Sequence, residues 1–595
     1  MQLNFNQKVE YMIMKSVKVA AVGLLSMFFL SGKMLAAAPE RSMAAYKVNV
    51  ELECASPEAA ERAELKLLPL PPGKNVAFSC RWDDNNPANI RMKKLMQKYG
   101  YKGTFYLLTP KDDFRKNVLP ELHKDGFTVG NHTLHHYNLS QLTANGINYE
   151  MLANRIIYET LTGQTITAFI FPGGSFSEPF YPDVKLIISS CLRRCGMLGG
   201  TDNAMHHLNK IPGNEFFNNE GGIIYPGDRN TSTQKFDEHV ARSLPSAGKT
   251  AHMTLGIHVW HSDKDFEQLE ISMKKYAARP DWWYCNENEF LAYTYMFKHT
   301  RILEKKVIGK KAVFTLALPC PEYLGSDVPL WAEADGKNIE IKHTRRVPEK
   351  IAAADKDGKI AGYPGLQAKL TYIAADRIRL DVVNKSNVPL EDVRLLLHLP
   401  PDFVEENLYC YAGNITDKYS KEWSITPNAA WKSTGTQLTA LQMDFTGRNV
   451  VSRIWVEHKQ EIENKVPPPA KIYFAARKFT DQEFEKASLP AAAVDDKVFI
   501  KASQWHNYRE TMFKVPLRTM NKEALTALVE FEGGEKMTLQ GTLPDVVYLN
   551  GKKLPVKRGT VTFDAPAGKC RIMFQHLNRK RALQFVQVCF KTLDK

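Results

Sequence analysis

Cysteine is scarce: nine residues in 595, at positions 54, 80, 191, 195, 285, 320, 410, 570 and 589. Their spacing is not that of a disulfide framework, and no second close pair joins Cys191 and Cys195 to make a zinc cluster. A small disulfide-stapled scaffold is therefore excluded, and most of these thiols are expected as small buried hydrophobes. Long apolar runs are also nearly absent. The one at the N-terminus, Val19 to Leu30, is short for a spanning helix. It follows Lys15 and Lys18 and precedes Ser31 to Ala38, the order of a secretory signal peptide cleaved near Ala36 to Ala38. No other window is apolar enough to cross a membrane, so the mature chain is expected to be exported, periplasmic or extracellular, with no stable membrane span. Clustered basic charge is lacking too. The chain carries a net +14; removing residues 1–38 deletes Lys8, Lys15, Lys18 and Lys33 against Glu10, leaving 14 − 3 = +11. These charges are dispersed and no nucleic-acid motif accompanies them, which argues against a nucleic-acid partner. The surplus suits an acidic polymer such as a glycan. No internal repeat is present.

What is present is a regular alternation. Hydrophobic residues make up 44% and charged ones 24%, which excludes a disordered chain, and the length implies several domains. Residues 39–74 read as a polar lead-in with a helical patch at Ser56–Leu67. Apolar strands are expected at 76–80, 104–108, 127–130, 166–171, 196–200 and 253–260. Helices with 3.6-residue spacing are expected at 90–99, 118–124, 147–162, 181–194 and 266–278. Alternating strands and helices over 75–300 mean a parallel sheet, most economically an open or closed (β/α) barrel. After Arg301 the texture becomes β, with 345–365 a polar connection. Residues 301–465 read as β-sandwich modules and, after the stiff break Pro467-Pro468-Pro469, residues 470–595 as a C-terminal one.

In βα barrels, chemistry sits at the C-terminal ends of the strands. Polar residues collect there: Asp83-Asp84 after the first strand, His132 and His136 after the third, Phe171-Pro172-Gly173 after the fourth, and His258 to His261 after the last. One carboxylate and two imidazoles leave a divalent metal with open positions, and a second carboxylate beside them suits a general base. Each feature has a plainer reading by itself. Asp-Asp before Asn-Asn-Pro is also a turn or helix cap, and an isolated His-x-x-x-His is also a surface pair. Trp260 stacks on a sugar in one reading and on the core in another.

The residues Trp82-Asp83-Asp84, Gly130-Asn131-His132-Thr133-Leu134-His135-His136 and Phe169-Ile170-Phe171-Pro172-Gly173-Gly174 occur in that order. In this the region resembles the polysaccharide deacetylase (NodB-homology) domain of carbohydrate esterase family four, and the similarity extends to about residue 300. The resemblance implies a distorted (β/α) barrel of deacetylase type in which Asp84, His132 and His136 hold a divalent metal. That metal is usually zinc, with cobalt or nickel as alternatives. It further implies Asp83 as general base, His261 as general acid with His258 the alternative, and the Gly173 amide as oxyanion donor next to Pro172. The implied activity is metal-dependent hydrolysis of N- or O-acetyl groups on a polysaccharide or oligosaccharide. The alternatives are a degenerate glycan-binding or surface protein of the same fold, or a hydrolase of small C–N substrates. Four positions depart from the family. Arg81-Trp82 stands where Thr-Phe or Ser-Phe is usual, Asn85 replaces the usual glycine, and Ile170 occupies the place of an arginine that buttresses the base.

Overall fold

All eight residues of β3, Val76–Asp83, are buried, as expected of a central parallel strand covered on both faces. The protein is described by a computed structural model covering residues 45–592 apart from 138, 140–141, 173–183, 202, 212–213, 215, 218–222, 225–231, 257, 260–261, 405–407, 429–434, 463–469, 476, 502–503, 507–510, 514–523, 535, 542–544, 557–559 and 578–587. The signal-peptide reading on residues 1–38 lies outside these.

Two short strands, β1 (Ala45–Glu53) and β2 (Lys66–Leu67), precede β3. The parallel sheet continues with β4 (Gly103–Leu107), β5 (Thr128–Asn131), β6 (Ile223–Ile224), β7 (Ala251–Leu255) and β8 (Trp282–Tyr284), in the order β5-β4-β3-β7-β6 with β8 also on β3. Parallel bridges Asn131↔Phe169, Ala168↔Gly199 and Gly199↔Phe217 extend it beyond β5. The expected strands at 166–171 and 196–200 are thus single bridges, not ladders. Glycine permits this crowding: a Cβ on Gly200 would lie 1.9 Å from the Phe169 carbonyl oxygen. The expected strand 253–260 is also corrected. It ends at Leu255 because Gly256 turns the chain at φ 104°, and a bridge Asp83↔His258 then resumes the pairing.

The helices that matter to the site are α1 (Asn89–Lys98), α2 (Ala144–Thr162), α3 (Val184–Arg194), α4 (Asp263–Tyr276) and α5 (Glu287–His299). Side chains alternate along β3. Val76, Phe78, Cys80 and Trp82 join Met92 and Met96 of α1 and Leu269 and Met273 of α4 in one apolar core. Ser79, Arg81 and Asp83 face the other way. Ser79 Oγ lies 2.8 Å from His252 Nε2, so the inside of the sheet is a polar column.

The lead-in is not free. β1 pairs antiparallel with β10 (Lys311–Pro319), which pairs with β9 (Arg301–Ile308); β2 pairs with β11 (Leu330–Ala334), beside β12 (Lys337–Ile341). The helical patch contracts to Pro57–Arg62, N-capped by Ser56. Residues 345–365, read as a polar connection, contain β13 (Lys350–Ala353), which lies parallel to β20 (Val450–Ile462). β13, β20, β19 (Gly435–Gly447), β16 (Leu390–His398) and β17 (Tyr409–Ile415) form one sheet. β14 (Leu366–Ala374), β15 (Arg377–Asn384) and β18 (Lys418–Ser424) form the facing one, and the two share an apolar core. A six-stranded and a five-stranded sheet make up the C-terminal part, from Ala470 onward. The chain is multidomain, a parallel α/β unit followed by largely antiparallel β units. Cys54, Cys80, Cys191, Cys195, Cys285, Cys320, Cys410 and Cys570 are unbridged, and all but Cys410 are buried. No helix among the described residues is long and apolar enough to cross a membrane.

Candidate metal centre

Asp84 leaves β3 in the left-handed region, at φ 73°, with its amide donating to the Tyr106 carbonyl at 3.0 Å. Asn85, the departure from the family glycine, closes the turn. Its Nδ2 donates to Leu108 O at 2.8 Å and its Oδ1 accepts from Leu108 N at 3.2 Å. The segment after β5 is held as tightly. Asn131 Oδ1 accepts from Thr133 N at 2.9 Å, Asn154 of α2 donates to Thr133 O at 2.6 Å, and Thr133 Oγ1 accepts from His136 N at 3.1 Å. Thr133 and His136 both have positive φ, 64° and 60°. Non-glycine residues in this region cost free energy and cluster where function fixes the backbone.

These two loops meet. Asp84 Oδ1 lies 3.6 Å from His132 Nε2 and 3.4 Å from His136 Nε2, and the three donor atoms are all within 4.8 Å of one another. Bonds of about 2.1 Å in a tetrahedral zinc site place its donors about 3.4 Å apart, so this set fits a divalent cation. His132 is in the right state for it. His132 is buried, and its Nδ1 donates to the Ile170 carbonyl at 3.0 Å, which leaves the Nε2 lone pair facing Asp84. Burial, with His136 close by, pushes His132 down to about 3, so it is neutral.

Asp83 lies beneath, buried, with Oδ2 accepting from Arg81 Nη2 at 2.7 Å. Its Oδ1 is buried with no donor among the described residues. Burial raises the Asp83 carboxyl above its ordinary range, against the opposing pull of Arg81 and His258. His258 Nε2 sits 3.7 Å from Asp84 Oδ2, the carboxylate oxygen not facing the histidine pair. Of the residues singled out in the sequence, Asp83, Asp84, His132, His136 and His258 therefore converge. Pro172 is buried at the end of its strand segment. Gly173, Trp260 and His261 lie outside the described residues. His135 turns away, with its Nδ1 2.6 Å from the buried Glu150 Oε1.

The sequence reading missed two participants. Arg81 was treated only as a departure from the family, although two residues before Asp83 on a strand is the same face. Glu287, at the start of α5, gave no signal. It reaches the column from below, accepting from the Tyr106 hydroxyl and, at 2.9 Å, from Thr201 Oγ1.

The arrangement is a candidate cation site at the strand ends of a parallel α/β domain. Residues 75–186 match the family described as polysaccharide deacetylase. No curated protein matches the chain. Among solved structures, peptidoglycan deacetylase PdaC from Bacillus subtilis is similar at 17% identity over 37% of this chain and 92% of that one, with a TM-score of 0.25. A family 4 carbohydrate esterase from Streptomyces lividans, in complex with acetate, is similar at 14% identity over 34% and 88%, TM-score 0.23. A CE4 family pseudoenzyme from Bacillus anthracis is similar at 18% identity over 37% and 66%, TM-score 0.24.

Proposed function

We propose that this protein is an exported, metal-dependent hydrolase that removes N- or O-acetyl groups from a glycan. The observation that carries the reading is the convergence of Asp84, His132 and His136 at cation-ligand spacing, with Asp83 next in the chain and His258 3.7 Å from Asp84. Zinc suits the donor set, with cobalt or nickel as alternatives. When bound by these three residues, the cation supplies Lewis acidity toward an acetyl carbonyl and toward water. Asp83 serves as general base. Its Oδ2 is occupied by Arg81, so Oδ1 receives the proton of the attacking water. His258 serves as general acid, giving its proton to the leaving nitrogen or oxygen as the bond to the acetyl carbon breaks. The Gly173 amide, beyond the buried Pro172, is assigned the developing oxyanion. The basic mature surface favours an acidic polymer as substrate, and the appended β units are assigned to holding it.

Acetate release from a panel of acetylated polysaccharides tests the reading. The metal-loaded protein is expected to release acetate. A chelator is expected to abolish the release, and Asp83→Asn to lower it by about 10²- to 10⁴-fold, the range for a lost general base. Release that survives both treatments sinks the assignment.

A further inference from the structure

Between Asp83 and the floor of the sheet lies a column of buried polar groups that the mechanism above does not use. Arg81 shares the inward face of β3 with Asp83, and the two form an ion pair in which each side chain is only 4% exposed. The second amino nitrogen of the guanidinium, Nη1, faces Thr201 Oγ1 at 3.4 Å. Thr201 in turn donates to Glu287 Oε1, and the Tyr106 hydroxyl donates to Glu287 Oε2. Glu287 itself is fixed at the N-terminus of α5, where its amide donates to Thr104 Oγ1 at 2.9 Å. Asn286 caps the helix and ties it to the Gly126 carbonyl at 3.0 Å. Arg81, Asp83, Tyr106, Thr201 and Glu287 are all buried.

We propose that Arg81 and Glu287 are positioning residues for the base: Arg81 clamps one oxygen of Asp83 so that the other faces the substrate, and Glu287, anchored by Tyr106 and Thr201, holds the Arg81 guanidinium from below. This rests on the hydrolase reading. The physical need is plain. A guanidinium taken out of water must be matched by charge and hydrogen bonds on more than one side. With Asp83 alone as partner, nothing would fix the distance between the guanidinium and the metal ligands. A carboxylate on a separate element, opposite Asp83, sets that distance from the rigid end of α5. Burial pushes the Glu287 carboxyl up to about 7, although Arg81 opposes the shift, consistent with a group sealed from solvent at the base of the column. Asp83 Oδ2 is consumed by the clamp and Oδ1 has no donor among the described residues, so the geometry assigns one oxygen to support and one to proton transfer.

The test uses the full-length, metal-loaded protein and four variants: Arg81→Met, Arg81→Lys, Glu287→Gln and the double Arg81→Met/Glu287→Gln. Metal content, KM and kcat for acetate release are measured on each. Arg81→Met is expected to lower kcat by about 100-fold, the scale of a misplaced reacting group. KM and metal content are expected to stay near the wild-type values, and Arg81→Lys to restore part of kcat. Glu287→Gln is expected to lower kcat about 10-fold, as a residue acting through Arg81 rather than on substrate, and to add nothing once Arg81 is Met. If Arg81→Met fails to fold, Arg81→Lys and Glu287→Gln carry the test. A kcat within threefold of wild type in the Arg81 variants overturns the clamp. Losses from Arg81→Met and Glu287→Gln that multiply in the double variant overturn the link between the two residues. A wild-type protein that binds metal and releases no acetate removes the hydrolase reading itself, which is a different result.

Discussion

His132 and His135 are three residues apart in one loop and have opposite surroundings. His132 is buried with its Nδ1 spent on a backbone carbonyl, whereas His135 is half-exposed and paired with Glu150. The difference predicts different consequences for metal binding. His132→Ala removes a donor atom whose orientation is fixed in advance, and the purified variant is expected to lose its bound metal by elemental analysis. His135→Ala is expected to retain a full equivalent, and loss of metal from it would mean that the ligand set has been misread. At the same scale, Gly256 shows how one residue places another. Its φ of 104° and a virtual Cβ 2.5 Å from the Arg81 carbonyl oxygen admit no side chain, and the turn it makes brings His258 level with Asp83.

Helix α2 is the element through which the site communicates with the β units. On one side Asn154 holds the His132 loop. On the other, Arg155 Nε donates to Glu159 Oε1 at 2.7 Å, and Arg453 of β20 donates to Glu159 Oε2 at 3.0 Å and to Asp444 of β19 at 2.7 Å. Trp455 Nε1 completes Glu159 at 2.9 Å. Burial pushes the Glu159 carboxyl up, but Arg155 and Arg453 outweigh it and hold it below its ordinary range. The sign follows from the depressed value. Glu159 contributes stability that is complete above the unfolded carboxyl pKa of about 4.3 and is lost as pH falls through the folded value. Arg453→Met leaves two buried carboxylates short of a partner, so it is expected to destabilise the protein by about 3–5 kcal/mol at neutral pH. The deficit relative to wild type should begin to narrow as pH falls below about 4.3, the unfolded carboxyl value, toward the depressed folded value of Glu159. Urea unfolding at pH 7 and pH 4 measures both, and an equal deficit at the two pH values would contradict the ion-pair account.

At the scale of the whole molecule, the barrel and the first β unit share a core. Ile147, Met151 and Ile156 of α2 and Ile188 and Cys191 of α3 pack with Ile351, Leu438, Ala440 and Trp455 of the β sheet. Likewise β1 and β10 join Leu291 and Met296 of α5 in another cluster. The two cores of the C-terminal part, in contrast, contain only residues between 473 and 574. A fragment of residues 75–300 is therefore expected to aggregate or bind a hydrophobic dye, because its α2 and α5 faces are uncovered. A fragment of residues 45–462 is expected to unfold at the same urea concentration as the corresponding transition of the full chain. Independent folding of 75–300 would show that the shared cores contribute little.

Much of this was readable from local pattern, because it depends on near neighbours in sequence. The two-residue alternation of β3 and the 3.6-residue spacing of α1 and α2 reflect which side chains must leave water. The motif residues Asp84, His132 and His136 were legible because a metal requires those donor types and strand ends collect them. The rest was decided by contacts between distant segments, on which local pattern is silent. β1 found its partner in β10, the polar segment 345–365 supplied β13 to an existing sheet edge, and Arg81 took up the support of Asp83 while Ile170 stayed in the core. The sequence by itself determined elements such as β3, α1 and α2 and the chemical identity of the candidate ligands. Tertiary structure decided which charged groups share a low-dielectric interior, because only there does a buried guanidinium require a carboxylate at a fixed distance.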